Sequence, residues 1–103
     1  MKLYIQPIGP VKMAFRAIAG LSKCELVETA EEADEVLCME ASEALDVLLL
    51  GKRVSLIVLG TDASSAEGLA KNERFKGQLF VFRFSFTDKD GEEMAALISH
   101  WQQ

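Results

Sequence analysis

"RVSLIVLG", residues 53–60, decides how the rest of the chain is read. After Arg53 the run is apolar and rich in β-branched residues, broken only by Ser55. A strand with one wet face alternates apolar and polar residues. A continuous apolar run instead marks a strand covered on both faces, as in a parallel sheet between two layers of helices. Residues 53–60 are therefore expected to be a central strand of an α/β domain.

The flanking segments fit that expectation. "EVLCME", 35–40, reads as the preceding strand, and a helix over 43–50 follows, with Ser42 as its cap and Gly51 as its stop. Downstream, Ser64 and Glu67 form a capping box for a helix reaching about Asn72. Gly68 weakens that helix by about 1 kcal/mol relative to Ala. "QLFVFRFSF", 78–86, is a fifth strand, and "TDKDGEE" opens a last helix through Trp101 with acids in its first turn.

At the other end "KLYIQ", 2–6, is the first strand. Pro10 suits the first helical position, where its missing N–H costs nothing. Val11, Ala14, Phe15, Ile18 and Leu21 then recur at helical spacing, and Gly20 is the expected stop. "KCELVE", 23–28, has the mixed polarity of an edge strand, and "TAEEAD", 29–34, reads as one helical turn capped by Thr29.

Five strands alternating with helices predict a single α/β domain over residues 1–103, three-layered, with a mostly parallel sheet. The expected strand order is flavodoxin-like, 2-1-3-4-5. One connection is short: a parallel crossover usually takes about a dozen residues, and "TAEEAD" supplies half that. Either one helical turn spans the sheet or strands 2 and 3 pair antiparallel; the first is preferred because Thr29 can cap the turn.

Composition narrows the function. Half of the 103 residues are hydrophobic and 26% are charged, which predicts a folded domain. The net charge of −5 and a pI near 4.8 give no electrostatic footprint for nucleic acid or anionic membrane. No apolar run is long enough to cross a bilayer, and "MKLYIQPIG" lacks the features of a signal peptide, so a cytoplasmic location is expected. Cys24 and Cys38 form no CxxC motif and have no usable His nearby, since the lone His100 lies near the C-terminus. Reduced, buried thiols are expected, with no disulfide, metal or cofactor.

In an open α/β sheet, ligands bind beyond the carboxyl ends of the strands. That selects Gln6, Gly9 and Lys12 after strand 1, Glu40 and Ser42 after strand 3, Thr61 and Asp62 after strand 4, and Thr87 and Asp88 after strand 5. The strand-to-helix turn "QPIGPVK", 6–12, is a poor phosphate cradle. Converging backbone N–H groups need glycines, whereas this loop has one Gly and two Pro.

From Ala33 the chain runs "ADEVLCMEASEALDVLLLGKRVSLIVLGTD". The "AD" opening of the third strand, the "ME" at its end, the "GKxV" entry to the fourth and the Asp beyond it resemble low-molecular-weight phosphotyrosine phosphatase-like proteins. The resemblance covers about a third of the chain and implies a flavodoxin-like core with a catalytic loop after strand 1. In that alignment Gln6 stands at the nucleophilic Cys, Lys12 at the Arg, Met13 at the Ser, and Asp62 nearest the general acid. Gln cannot serve as a thiolate, and Lys does not grip a phosphoryl group bidentately. The resemblance therefore implies a catalytically silent relative.

Other motifs fail on their chemistry. Placing Gly91 of "DKDGEE" at the sixth position of a calcium loop puts Phe86 and Leu97 at the first and twelfth, and neither binds calcium. Glu40 and Asp62 lack a third ligand for a metal. Phe80, Phe82, Phe84 and Phe86 share one face of strand 5, with Leu79, Val81, Arg83 and Ser85 on the other. Either helices cover this stripe, the last one offering Met94, Leu97, Ile98 and Trp101, or a second copy of the chain covers it.

The expectation is a non-catalytic binding or regulatory domain acting through a protein interface, as a homodimer with the Phe stripe at its contact. The alternative is a small-molecule or nucleotide-binding domain, conceivably an enzyme, using the strand-end cleft. A thiol-redox role through Cys38 comes third.

Overall fold

Each strand turns alternate side chains into one of two buried layers, and that alternation organises the molecule. The computed structural model describes residues 1–59, 64–85 and 90–102, with the backbone alone at 64 and 65. In chain order the elements are β1 (Lys2–Ile5), α1 (Pro10–Ser22), β2 (Glu25–Leu26), β3 (Glu35–Cys38), α2 (Ala41–Leu49), β4 (Arg53–Leu59), α3 (Ser64–Ala70), a 3-10 turn (Glu73–Phe75), β5 (Leu79–Phe84) and α4 (Gly91–Trp101). The sheet is parallel throughout, in the order β2-β1-β3-β4-β5. This is the expected flavodoxin-like arrangement.

On β4, Val54, Leu56 and Val58 face one layer, where Ala44, Val47 and Leu48 of α2, Ala66 of α3 and Phe75 close over them. Ile57 faces the other layer, under Phe15 and Ala19 of α1 and Leu97 and Trp101 of α4. Burial on both faces explains why residues 53–59 read as an unbroken apolar run.

Several local expectations change. β2 has two residues rather than six, because Glu25 and its neighbours lie at an open edge. Residues 29–34 form turns, not a helix. Thr29 Oγ1 accepts the Glu32 N–H at 3.4 Å, and Lys52 Nζ donates to the carbonyls of Glu31 and Ala33, which fixes the strand-to-strand connection without a helix. Strands 2 and 3 do not pair with each other: both run parallel to β1, one on each side of it, so the antiparallel alternative is excluded. α1 continues past Gly20 to Ser22 and ends at Lys23, which takes a left-handed conformation (φ 61°) and donates to the Gly20 carbonyl. α2 starts at Ala41, so Ser42 lies inside its first turn and Glu40 is the N-cap residue. α3 ends at Ala70 rather than near Asn72. The side chain of Ser64, and with it the capping box, lies outside what is described.

Two residues of the Phe stripe are covered within the monomer. Phe82 and Phe84 are only 8% and 4% exposed, packed under α1 and α4, with Phe84 edge-on to Phe15 at 6.0 Å. Phe80 is half-buried and lies 4.2 Å from the His100 ring, centroid to centroid. Phe86 lies outside the described residues. The stripe therefore gives no exposed aromatic contact at Phe82 and Phe84, because the last helix supplies the apolar cover that a partner would otherwise provide.

At the amino end of the sheet the second layer contains a carboxylate. Glu35, first residue of β3, is fully buried. Ser55 Oγ donates to its Oε2, and Trp101 Nε1 donates to the same oxygen at 3.1 Å. His100 Nε2 lies 2.9 Å from both oxygens, within hydrogen-bond distance of each. Arg53 Nε approaches Oε1 at 3.6 Å. A buried charge is tolerated only when paired and hydrogen-bonded, and here β4 and α4 supply the donors.

Removing the acceptor should be costly. Glu35→Ala leaves Ser55, Trp101 and Arg53 facing a cavity, and a loss of about 3–5 kcal/mol is expected from urea unfolding. Trp101→Phe, which deletes one donor while keeping most of the ring, should lose about 1–3 kcal/mol. An E35A protein within 1 kcal/mol of wild type would show that the clamp is not needed.

Asp34 gives a pH prediction. Its carboxylate accepts the Lys2 backbone N–H at 2.9 Å, and that bond holds its pKa below the ordinary 3.8. A lowered carboxylate pKa gives stability that is fully present above the unfolded value and lost as pH falls through the native one. Acid thermal melts of Asp34→Asn should show a shallower loss of Tm than wild type as pH falls from 3.8 through the lowered native value. Parallel curves would refute it.

Candidate functional site

The loops after β1, β2 and β3 meet around a cleft of about 960 Å³ at the carboxyl end of the sheet. This position follows from topology. The chain leaves β1 toward β2 on one side, and β3 lies on the other, so the loops diverge and leave a crevice at the switch point. Tyr4, Gln6, Thr29, Glu28, Glu40 and Glu43 supply its polar lining, and Ile8, Val11 and Met39 its apolar part. Ile8 is 83% exposed, an unusual position for an isoleucine beside an open cleft.

The electrostatics are one-sided. Three lining residues are glutamates, and among the described residues no Lys, Arg or His lines the cleft. Glu40 and Glu43 stand at the amino end of α2, where the helix dipole favours negative charge. Among the described residues no group of three His, Cys, Asp or Glu side chains is placed to hold a metal ion. The described lining is thus rich in hydrogen-bond acceptors and negative in charge.

The residues expected from sequence separate. Gln6 and Glu40 line the cleft. Gly9 is the N-cap of α1, with φ 77°, a backbone conformation that favours glycine. Lys12 turns aside into a shallow recess with Arg16 and Glu28, between α1 and β2. Ser42 is exposed and does not line the cleft. Thr61, Asp62, Thr87 and Asp88 lie outside the described residues. Met13, at the Ser position of the phosphatase-like loop, is exposed on α1.

Glu28, Thr29, Glu43 and Tyr4 were not expected from sequence. The rule that selects strand ends applies equally to the loop after β2, and the order 2-1-3 brings that loop to the cleft. Glu43 was readable as the residue one turn into α2.

The clamp at the opposite end of the sheet contains a Ser, a Glu and a His, and its geometry excludes nucleophilic catalysis. Ser55 donates to Glu35 rather than to His100, and Ser55 is fully buried. An activated serine needs its proton taken by a base that a third group orients; here the carboxylate is the shared acceptor.

The thiols are poor nucleophiles. Burial, with the Glu43 carboxylate adding to it, pushes the Cys38 thiol up to about 12, and burial also raises that of Cys24. Both are free. Comparison of the chain with protein-family models, curated proteins and solved structures returns no match.

Iodoacetamide at pH 8 should leave Cys38 unmodified in the folded protein and label it in urea, as read by mass spectrometry. Between the ordinary 9.0 and about 12 the native thiol keeps a proton that the unfolded one releases, so Cys38 lowers stability as pH rises through that window. Cys38→Ala should flatten this alkaline slope. Rapid native labelling of Cys38 would contradict both.

Proposed function

We propose that the chain is a non-catalytic binding domain whose ligand enters the cleft at the β1/β3 switch point. The ligand carries an amine or guanidinium group beside an apolar portion. One observation carries this reading: the cleft presents Glu28, Glu40 and Glu43, with no basic residue among the described ones, next to Ile8, Val11 and Met39. A cation partly withdrawn from water gains more from such carboxylates than it does at an open surface.

The lack of basic residues also speaks against a nucleotide or phosphate ligand, and it departs from the phosphate grip that the phosphatase-like resemblance would carry. The polar groups in the cleft are carboxylates, an amide and hydroxyls, and both thiols lie outside it. Binding, and regulation through binding, is the simplest use of that set. Two free thiols suit a reducing compartment, so a cytoplasmic location belongs to this reading. No helix among the described residues is long and apolar enough to cross a membrane.

Amide NMR titration with agmatine, 1-aminohexane, hexanol and adenosine monophosphate tests the proposal. The two cationic probes should shift Gln6, Glu28 and Glu40, and hexanol and the nucleotide should not. The double variant Glu40→Gln, Glu43→Gln should weaken binding about tenfold or more, the equivalent of about 1.4 kcal/mol. A preference for the nucleotide, or shifts confined to other surfaces, would defeat the reading.

A further inference from the structure

β5 is the last strand of the sheet, so one of its hydrogen-bonding edges has no strand beside it. The Val54 N–H donates to the Gln78 carbonyl at 2.7 Å, and the register pairs Val54 with Leu79. In a parallel ladder this turns the amides of Phe80, Phe82 and Phe84 toward β4 and those of Leu79, Val81 and Arg83 outward.

The outward edge is covered unevenly. Glu93 accepts the Arg83 N–H at 2.9 Å, and Asp90 accepts the Ser85 N–H at 2.8 Å. Carboxylates at the start of α4 thus close the carboxyl half of the edge. The outward N–H groups of Leu79 and Val81 meet no acceptor among the described residues. Uncapped edge donors are a template for another strand. Beside them runs a groove of about 470 Å³, floored by Leu69, Phe75, Leu79 and Val81 and rimmed by Lys71 and Lys76.

The geometry points to a second copy of this chain as the occupant, with β5 pairing antiparallel to β5 about a two-fold axis at Phe80. The open window is symmetric about that residue. Leu79 of each copy opposes Val81 of the other, and each such pair exchanges both of its N–H···O bonds. The capped amides mark where pairing stops.

Charge complementarity favours this occupant over an unrelated strand. Beyond the paired residues, the same antiparallel direction carries exposed Lys76 of one copy toward the carboxyl end of the other's β5, where the Glu93 carboxylate caps Arg83. The two-fold axis repeats the contact. It also joins the two grooves, so that Leu79 and Val81 of each copy cover apolar surface of the other. The result is one continuous sheet through both copies, and it leaves the strand-end cleft untouched.

Sedimentation velocity on the intact chain, with amide hydrogen exchange at low and high concentration, tests the pairing. A short edge contact belongs among small interfaces, so dissociation constants on the order of 100 µM are expected. Dimer formation should slow exchange at Leu79 and Val81. Lys76→Glu places like charges together and should weaken the dimer about tenfold, whereas Lys71→Glu, away from the Glu93 contact, should not. Val81→Pro removes an outward N–H without touching the β4 ladder and should abolish the dimer. Should that variant fail to fold, Lys76→Glu and the exchange data decide. A monomer at about 1 mM, unprotected amides in a dimer, or wild-type affinity in Lys76→Glu overturns the inference.

Discussion

The structure depends on how a single buried carboxylate is satisfied. Glu35 sits at full burial in a layer otherwise built from Leu, Ile, Phe and Trp. Desolvating an unpaired carboxylate would cost several kcal/mol, comparable with the whole stability of a domain this size. The charge is acceptable only because β4 brings Ser55 and Arg53 and α4 brings His100 and Trp101 to it. An apolar core tolerates many packings, whereas this network is satisfied only by the native register and helix position. It defines where α4 lies more sharply than Leu97 and Trp101 packing alone would.

The two ends of the sheet consequently do different work. At the amino end a polar cluster is sealed, its serine and glutamate fully buried, and it joins three elements. At the carboxyl end the loops after β1, β2 and β3 diverge and leave carboxylates facing solvent in a cleft. Acidic side chains serve both ends. Buried among donors, a glutamate fixes the fold; ringed with others around an open crevice, glutamates give that end of the sheet a negative lining.

The sheet was legible because burial on both faces leaves a mark in sequence. The apolar run at 53–59 needs helices on each side, and the alternation of strands and helices then leads to the parallel order. β2 was overread because mixed polarity at 23–28 says edge without saying how long the edge is. The segment 29–34 was overread as helical because Thr29 can cap a turn whether or not a helix follows. Phe80, Phe82 and Phe84 share the face that their spacing predicts, but which element covers it depends on where α4 docks. Gln6 and Glu40 were reachable from the strand-end rule, and Glu28 joined them only once β2 lay beside β1. The clamp was illegible for a different reason. Ser55, His100 and Trp101 each have an ordinary local explanation, and only the register that sets Leu37 against Ser55, with α4 laid across it, brings them to Glu35.

The clamp also fixes an order of events for the newly made chain. Glu35 and Trp101 are 66 residues apart in sequence. Until the final turn of α4 arrives, β3 and β4 can pair, but their shared carboxylate lacks the donors of His100 and Trp101, and the Phe face of β5 lacks the cover of those two rings. A nascent chain lacking that turn has reason to keep this end of the sheet wet and loosely packed. The network around Glu35 is therefore complete only once residues 100 and 101 are in place.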